Sequence, residues 1–472
     1  MNRRRRILVL LICCTSLLIV SLDNTIVNVA LPSLGRDLRA PVSGLQWTID
    51  AYTLTLASLL MLSGSTGDRV GRRRVFQIGL LVFTAASLLC SLAPSLEWLI
   101  AFRALQAVGG SMLNPVAMSI ITNTFTDPRE RAQAIGVWGG VVGISMALGP
   151  VVGGLLTDSV GWRSIFWINV PIGLVAVLLT WRFVPESRSD RPRRTDPLGQ
   201  ALVIVLLASL TYGIIEGPGL GWTSGLTIGC FAVALLSLVG LIVYESRRAE
   251  PLIDVRFFHS APFSGAAAIA VAGFAGLGTF LFVNTLYLQD IRGLSALHAG
   301  LCMLPTALAT LIFGPLSGRL VGARGPRMSL LAGGACIAVA GVLLAQVTVT
   351  TPIPVLLAIY LIFGFGFAVV NPPITNTAVS GMPLSQAGVA AAVASTSRQV
   401  GQSLGVAIAG SVVASAVHIP DFTRASHVAW WIVAAYGLLV LVLALVSTSA
   451  WARATAERTA ARLASYEPVR SR

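Results

Sequence analysis

Apolar runs of about 18 or more residues, each closed by a short polar break, repeat from one end of this chain to the other. Each is long enough to cross a bilayer as a helix. Fourteen such spans are read, at 7–29, 46–65, 77–95, 98–122, 134–156, 165–185, 198–215, 224–244, 262–288, 297–317, 328–348, 354–378, 386–416 and 428–450. No polar stretch between them could pack a soluble domain. The chain is 55% hydrophobic and 11% charged, against about 25% charged in a soluble globular protein. Too little polar surface remains to cover a water-facing globule, so the expected fold class is an all-α integral membrane protein.

The charge is one-sided. The chain carries 33 basic and 19 acidic residues, and every basic one is arginine. Without lysine there is no phosphate-loop lysine to drive a nucleotide-powered pump and no Schiff-base chemistry. A nucleic-acid partner would require the basic charge on a soluble face, and there is none. The arginines instead test the span count through the positive-inside rule. With both termini in the cytoplasm, the inside segments hold Arg3 to Arg6, Arg69, Arg72 to Arg74, Arg129, Arg131, Arg182, Arg188, Arg191, Arg193 and Arg194. They also hold Arg247, Arg248, Arg256, Arg319, Arg324, Arg327, and Arg453, Arg458, Arg462, Arg470 and Arg472 in the tail. Five arginines fall outside (Arg36, Arg39, Arg163, Arg292, Arg424) and two within helices (Arg103, Arg398). A miscounted helix would invert every later loop and erase this bias. The basic N-terminus and its apolar run are longer than a secretory leader's core and lack a small-x-small cleavage site, so they read as a retained first helix.

The polar connection at 181–197, rich in arginine and proline, reads as a linker between helix sets. A second charged loop, ESRRAEPLIDVRFFHS, precedes the last six spans. The expected division is a six-helix bundle over 1–185, a linker and two-helix insert over 186–260, a second six-helix bundle over 261–450 and a cytoplasmic tail over 451–472. GSTGDRVGRRR after the second span and GPLSGRLVGARGPR after the tenth echo each other as duplicated bundles would. The six cysteines all lie in or at the edge of spans and read as buried small apolar residues. The four histidines, among them His418, form no cluster, so neither a metal site nor a cofactor is expected.

Ionisable side chains inside the membrane cost about 2.5–3.5 kcal/mol each at mid-depth and need a purpose or a partner. Three lie at similar depth in the first bundle. At about 1.5 Å per residue, Asp23 is about 12 Å below the outer end of its helix, and Asp50 and Arg103 are about 8 Å below theirs. A carboxylate desolvated beside a second acid or an arginine can answer to a proton gradient. Asp23 is therefore the candidate proton-coupling acid, Arg103 its charge partner and Asp50 a helper. The plainer alternative for the first two is an ion pair that only holds helices together. Glu216 reads as an interfacial acid at a turn. Arg398, about 18 Å into the thirteenth span, is a candidate for an acidic substrate group or a partner across the bundles, with snorkelling as the alternative. Gly143, Gly149, Pro150, Gly153 and Gly154 in the fifth span allow close approach and bending, which suits a rocking interface and also suits static packing. Trp47, Asn284, Asn371 and Asn376 join Arg398 as candidates to line a substrate cavity. The aromatics Trp138, Phe280 and Tyr287 are weighed between that role and helix packing.

These residues resemble the major facilitator superfamily, specifically its fourteen-span drug:proton antiporter branch, across essentially the whole chain. LDNTIVNVALP is similar to the branch's helix-one signature, whose acid corresponds to Asp23. GSTGDRVGRRR is similar to the loop between helices two and three, with Gly64, Asp68, Arg69, Gly71, Arg72 and Arg73 in register and Thr66 a departure. RALQAVGGS matches the helix-four motif at Arg103, Gln106 and Gly109, with Ala107 in place of its usual glycine. LGPVVGG matches the helix-five antiporter motif, and WRSIFWINVPIG the helix-six segment, with Trp162, Arg163, Asn169 and Pro171. The resemblance implies that Asp68 and its arginines form a charge latch bonded to neighbouring helix ends, that Arg103 takes part in proton transfer and that the helix-five glycines favour exchange over import.

The expectation is a non-enzymatic, proton-driven exporter of drugs or other amphipathic or cationic small molecules. It would sit in the cytoplasmic membrane, work by alternating access, act as a monomer and draw on the proton gradient without a cofactor. An exporter or flippase of one lipid or secondary metabolite is the alternative, and a nutrient importer a more distant one.

Overall fold

A computed structural model describes residues 3–189, 196–248, 251–380, 382, 387–414 and 419–465. The linker arginines Arg191, Arg193 and Arg194, the tail arginines Arg470 and Arg472, His418 and the extreme ends of the thirteenth predicted span lie outside them. The described residues are helical throughout their ordered elements. In chain order these are α1 (Arg3–Leu38), α2 (Val42–Val70), α3 (Arg72–Ser91), α4 (Leu96–Thr124), α5 (Pro128–Ser159), α6 (Ser164–Trp167) and α7 (Asn169–Phe183). Two helices follow, α8 (Pro197–Leu220) and α9 (Gly225–Ser246). The rest are α10 (Ala261–Leu286), α11 (Ala296–Cys302), α12 (Leu304–Arg324), α13 (Arg327–Leu344), α14 (Ile353–Val379), α15 (Ala387–Val413), α16 (Ile419–Ser447) and α17 (Ala450–Ser465).

Local chemistry sets the breaks. Asp127 caps α5 by accepting from the backbone N–H of Arg129 and Glu130, with Pro128 at the first helical position. This satisfies N–H groups that have no partner within the helix. Asp196 with Pro197 does the same for α8, and Ser224 for α9. Gly71, at φ 124°, lets α2 turn directly into α3. The sixth predicted span is broken into α6 and α7, and the tenth into α11 and α12. The first extends well past its predicted end, to Leu38, because Pro32 and its neighbours are packed rather than at a surface. The apolar periodicity marks where hydrocarbon would lie, and helices continue beyond it.

Among the described residues, twelve helical segments are long and apolar enough to cross a membrane, and their outer faces carry large apolar side chains such as Leu11, Leu81, Leu174, Leu178, Leu236 and Leu438. A water-soluble surface does not tolerate so many; this is a multi-pass membrane protein. The two long helices outside those twelve are α2 and α15. They pack against one another in the middle of the molecule, so their polar residues face protein. That is why the apolarity signal falls short of the fourteen spans expected from the sequence.

Helices α1 to α7 pack together as one bundle and α10 to α16 as a second, while α8 and α9 pair and lean on α2 and α15. Inside the second bundle, backbones nearly touch: a Cβ on Gly405 would lie 2.1 Å from the Ala275 carbonyl oxygen. The insert is pinned by Gln200, which donates to the Ser58 carbonyl, and by Trp47 Nε1, which donates to Glu216 at 2.7 Å. Helix α17 docks on the start of α10 through Thr455 and the Ala261 N–H.

The bundles meet at the end away from the arginine-rich loops. Gln46 Nε2 donates to the Val406 and Ala407 carbonyls at 3.2 and 2.8 Å, and Gln289 Nε2 to the Val29 carbonyl at 2.8 Å. Asp158 accepts from the Ala296 and Leu297 N–H groups, and Arg36 pairs with Asp290 at 3.0 Å. One stripe of α5 records how the contact changes with depth. A Cβ on Gly154 would strike the Ala296 carbonyl at 2.5 Å, and one on Gly143 would touch Leu311 at 3.2 Å; at Gly140 and Gly136 nothing lies within 4 Å. On α12, Gly314 and Gly322 are equally free of neighbours. The bundles are thus closed at the arginine-poor end and parted toward the arginine-rich one.

A side chain at Gly300 must push apart α5 and α11, since its Cβ would sit 2.1 Å from the Pro150 carbonyl oxygen. Gly300→Val is therefore expected to open the arginine-poor end. In a background free of native cysteines, a cysteine at position 46 should react faster with a membrane-impermeant maleimide when Gly300→Val is also present. Unchanged labelling would contradict the assigned contact.

Candidate functional site

Two helices bring two of the first bundle's buried charges together. Asp23, about halfway along α1, and Arg103, in the second turn of α4, form a direct ion pair with side chains 0% and 1% exposed. The pair has further partners from several helices. Asp23 Oδ1 accepts from Gln106 Nε2 at 2.9 Å and Asn169 Nδ2 at 3.1 Å. Arg103 also donates through Nη1 to Gln106 Oε1 at 2.7 Å and through Nε to the Thr48 carbonyl at 3.1 Å. Gln106 Nε2 reaches Ser87 Oγ at 2.8 Å, tying in α3. The guanidinium lies 4.2 Å from the Tyr52 ring centroid and 5.7 Å from that of Phe166, within cation–π range. Two opposite charges buried in low dielectric are tolerable only when the remaining donors and acceptors are also satisfied, and here α1, α2, α3, α4, α6 and α7 all contribute.

Sequence reasoning placed Asp23 and Arg103 side by side but assigned no coupling role to Gln106 or Asn169, and it passed over Thr48, Tyr52 and Ser87. Gln106 carries a legible signal, one helical turn after Arg103 and so on its face. Asn169 follows the break between α6 and α7, which no periodicity announces. Trp162 and Arg163, from the same segment, hold the far end of α1 by donating to Asp37 at 2.9 and 2.5 Å.

Asp50 shares their depth but not their pocket. It is fully buried on the face of α2 that meets α15, accepting from Thr53 Oγ1 at 3.2 Å with Ser403 of α15 beside it. Its Oδ2 has no partner, and among the described residues no cation pairs with it. One acid is therefore held inside a bundle by an arginine, and the other lies between bundles without one.

At the arginine-rich end, Asp68 accepts from Arg72 Nε and Nη2 at 3.0 and 2.8 Å. The rest of this loop binds the chain that follows α7. The Arg72 N–H donates to the Ser187 carbonyl, the Arg73 N–H to Glu186 and the Ser189 N–H to the Asp68 carbonyl. Gly71 has Glu186 where a Cβ would be, at 2.7 Å. Gly64 faces Pro115 of α4 at 3.6 Å, and Arg69 is exposed. The linker thus supplies what neighbouring helix ends were expected to supply. The two departures from the family pattern are absorbed. Thr66 bonds its own helix at Leu62, and the close approach of α3 to α4 runs through Gly109, whose Cβ would be 2.4 Å from the Phe83 nitrogen.

In α5, Gly149 and Gly153 seat Thr25 and Ile26 of α1, while Gly143 and Gly154 face α12 and α11. Pro150 exposes its carbonyl to Gly300. The motif therefore packs on α1 inside its own bundle and on α11 and α12 of the other.

The cavity candidates separate. Trp47 is turned to Glu216 and Tyr212 of the insert. Asn284 accepts from Tyr360 OH at 2.8 Å inside the second bundle. Phe280 stacks on Phe363 at 4.1 Å, and Tyr287 donates to the Thr348 carbonyl, so both aromatics serve packing. Asn371 is half-buried, and Asn376 is exposed near the open end. Arg398 lies on the half-exposed part of α15 and donates to Thr375 and, at 3.4 Å, to Ser395.

The chain matches the family described as Major Facilitator Superfamily over residues 13–406. It is 36% identical over 412 residues to the multidrug resistance protein Stp of Mycobacterium tuberculosis, covering 87% of this chain and 76% of that one. It is 35% identical over 403 residues to the tetracenomycin C resistance and export protein of Streptomyces glaucescens, covering 85% and 74%. Among solved structures, an inward-facing, unoccupied bacterial homologue of the human lysosomal transporter Spinster superposes with a TM-score of 0.65 at 18% identity, covering 98% and 99%.

Replacing Arg103 with leucine would leave the Asp23 carboxylate buried with only neutral donors. Breaking a buried pair in this way costs about 3–5 kcal/mol. The purified protein's thermal unfolding midpoint should fall by several degrees, and Asp23→Asn in the same chain should recover part of the loss. No fall in Arg103→Leu would mean the pair is not a buried one.

Proposed function

The chain belongs to the Major Facilitator Superfamily, and on that premise we propose that it exports drug-like or antibiotic small molecules from the cell in exchange for protons. The observation that carries this reading is the buried Asp23–Arg103 pair on the closed side of a two-bundle molecule. The drug-resistance and export names of its relatives support the direction of transport. On the same reading α2 and α15 also cross the bilayer, making fourteen spans with both termini in the cytoplasm. The arginine-rich end is then cytoplasmic, and the bundles described above stand open inward.

In this cycle the inward-open form carries Asp23 ionised and held by Arg103. Once the bundles rock and the outer end opens, a proton from outside neutralises Asp23, and Arg103 is left with Gln106, the Thr48 carbonyl and the Tyr52 ring. Asp50 acts at the same step by a different route. The contact of α2 with α15 has to part for the outer end to open, which wets the Asp50 carboxyl. Closing a dry contact over a carboxylate without a cation is costly, so a proton on Asp50 favours closing. Asp23 would therefore load from outside and discharge inside, while Asp50 takes up a proton from outside on closing and returns it there on reopening, and the substrate travels the other way. Asp68, Arg72 and Glu186 would hold the cytoplasmic loop to the linker during rocking. No cofactor is called for: the gradient supplies the work and a monomer suffices.

Proteoliposomes with an imposed proton gradient and a fluorescent drug test this reading. Asp23→Asn should abolish uphill transport while downhill exchange of the drug persists, because the amide mimics a carboxyl that cannot release its proton. Asp50→Asn should slow uphill transport and flatten its dependence on external pH. Undiminished uphill transport in Asp23→Asn would sink the proposal.

A further inference from the structure

We infer that Arg398 is the anion-recognition point of the substrate site, and that the exported compounds include molecules with an acidic group on an aromatic body. The inference rests on the export reading and narrows its substrate class, since the sequence reading pointed toward amphipathic or cationic cargo.

Along α15, residues 395–400 are half-exposed, whereas Gly401, Gln402, Ser403 and Gly405 to Ala407 are buried. Arg398 therefore stands about one turn from where the cleft closes, at its apex. The second point is what the guanidinium lacks. It has five N–H donors; Nη2 reaches Thr375 Oγ1, Nη1 reaches Ser395 Oγ at 3.4 Å, and Nε is buried with no partner. Among the described residues no carboxylate pairs with it. Arg103, the other arginine at membrane depth, has Asp23, Gln106 and a backbone carbonyl. A cation placed deep in a membrane protein with only two hydroxyl partners leaves its counter-charge to be supplied by something else.

The surroundings define that ligand. Phe274 lies 5.9 Å from the guanidinium carbon, with Phe367 edge-on to it at 5.1 Å, so an aromatic wall adjoins the charge. The neighbouring Thr396 Oγ1 and Gln399 Oε1 are also buried without partners. A planar fork beside an aromatic face suits an aryl carboxylate, phenolate or enolate, which accepts two parallel N–H bonds while its ring stacks alongside. Arg398 would bind substrate directly and take no part in proton transfer.

The experiment uses the full-length protein in proteoliposomes under a proton gradient, with two dyes on one xanthene frame: carboxyfluorescein, which is anionic, and rhodamine methyl ester, which is cationic. Arg398→Gln should raise the KM for carboxyfluorescein about ten- to a hundredfold and leave that for the rhodamine within about twofold. Arg398→Lys should fall between, keeping charge without the fork. Equal effects on both dyes, or none, would overturn the inference, as would a wild-type protein that carries only the rhodamine. Wild-type transport of neither dye would instead count against the export reading and take this inference with it. A variant-free measurement guards against misfolding: naphthoate should compete for the wild-type carrier about tenfold better than naphthamide, and equal competition would refute the assignment.

Discussion

One ion pair, buried where neither water nor lipid can serve it, fixes much of the first bundle. Asp23 and Arg103 can share a dry pocket only because six helical segments deliver a donor, an acceptor or an aromatic face to it. Each of those helices is thereby held in register with the others. A structural pair and a working one would look alike in a single conformation. The pair lies on the closed side of a molecule whose halves are parted on the other, which is where the proposed cycle needs it.

On the proposed cycle the two acids at this depth, Asp23 and its expected helper Asp50, do different work. Asp23 is stabilised in its charged form by an arginine inside one bundle, so its state reports on that bundle's interior. Asp50 lies in the seam, and its environment changes whenever the seam opens. The proposed rocking would use both kinds of group, one that stores charge and one that senses separation, with the second placed at the α2–α15 contact.

Much of this was legible in the chain before any coordinates. Apolar runs and arginine placement gave an all-helical membrane protein, and the depth of Asp23 and Arg103, computed from helix rise alone, put them together. Geometry within a helix was readable because it is periodic. What escaped was set by contacts between elements distant in sequence. Trp47 points into the insert because Glu216 is there, and Asn169 reaches Asp23 because the chain breaks at Ile168. Asn284 faces Tyr360 rather than the cleft because α10 is buried nearly all round, so its sequence shows no polar face to read. The partner of the Gly71 loop, Glu186, lies in a linker whose composition suggests only a tether.

The weak apolarity of α2 and α15 has a consequence for how the protein is made. A helix with polar flanks partitions poorly into lipid by itself, and α2 leaves the ribosome long before α15 exists to cover it, a wait of roughly tens of seconds at ordinary synthesis rates. The α8–α9 hairpin is made between the two and grips α2 through Gln200 and Glu216. Two helices that look like an appendage to the transport bundles are thus made in time to cover one face of α2 before α15 exists.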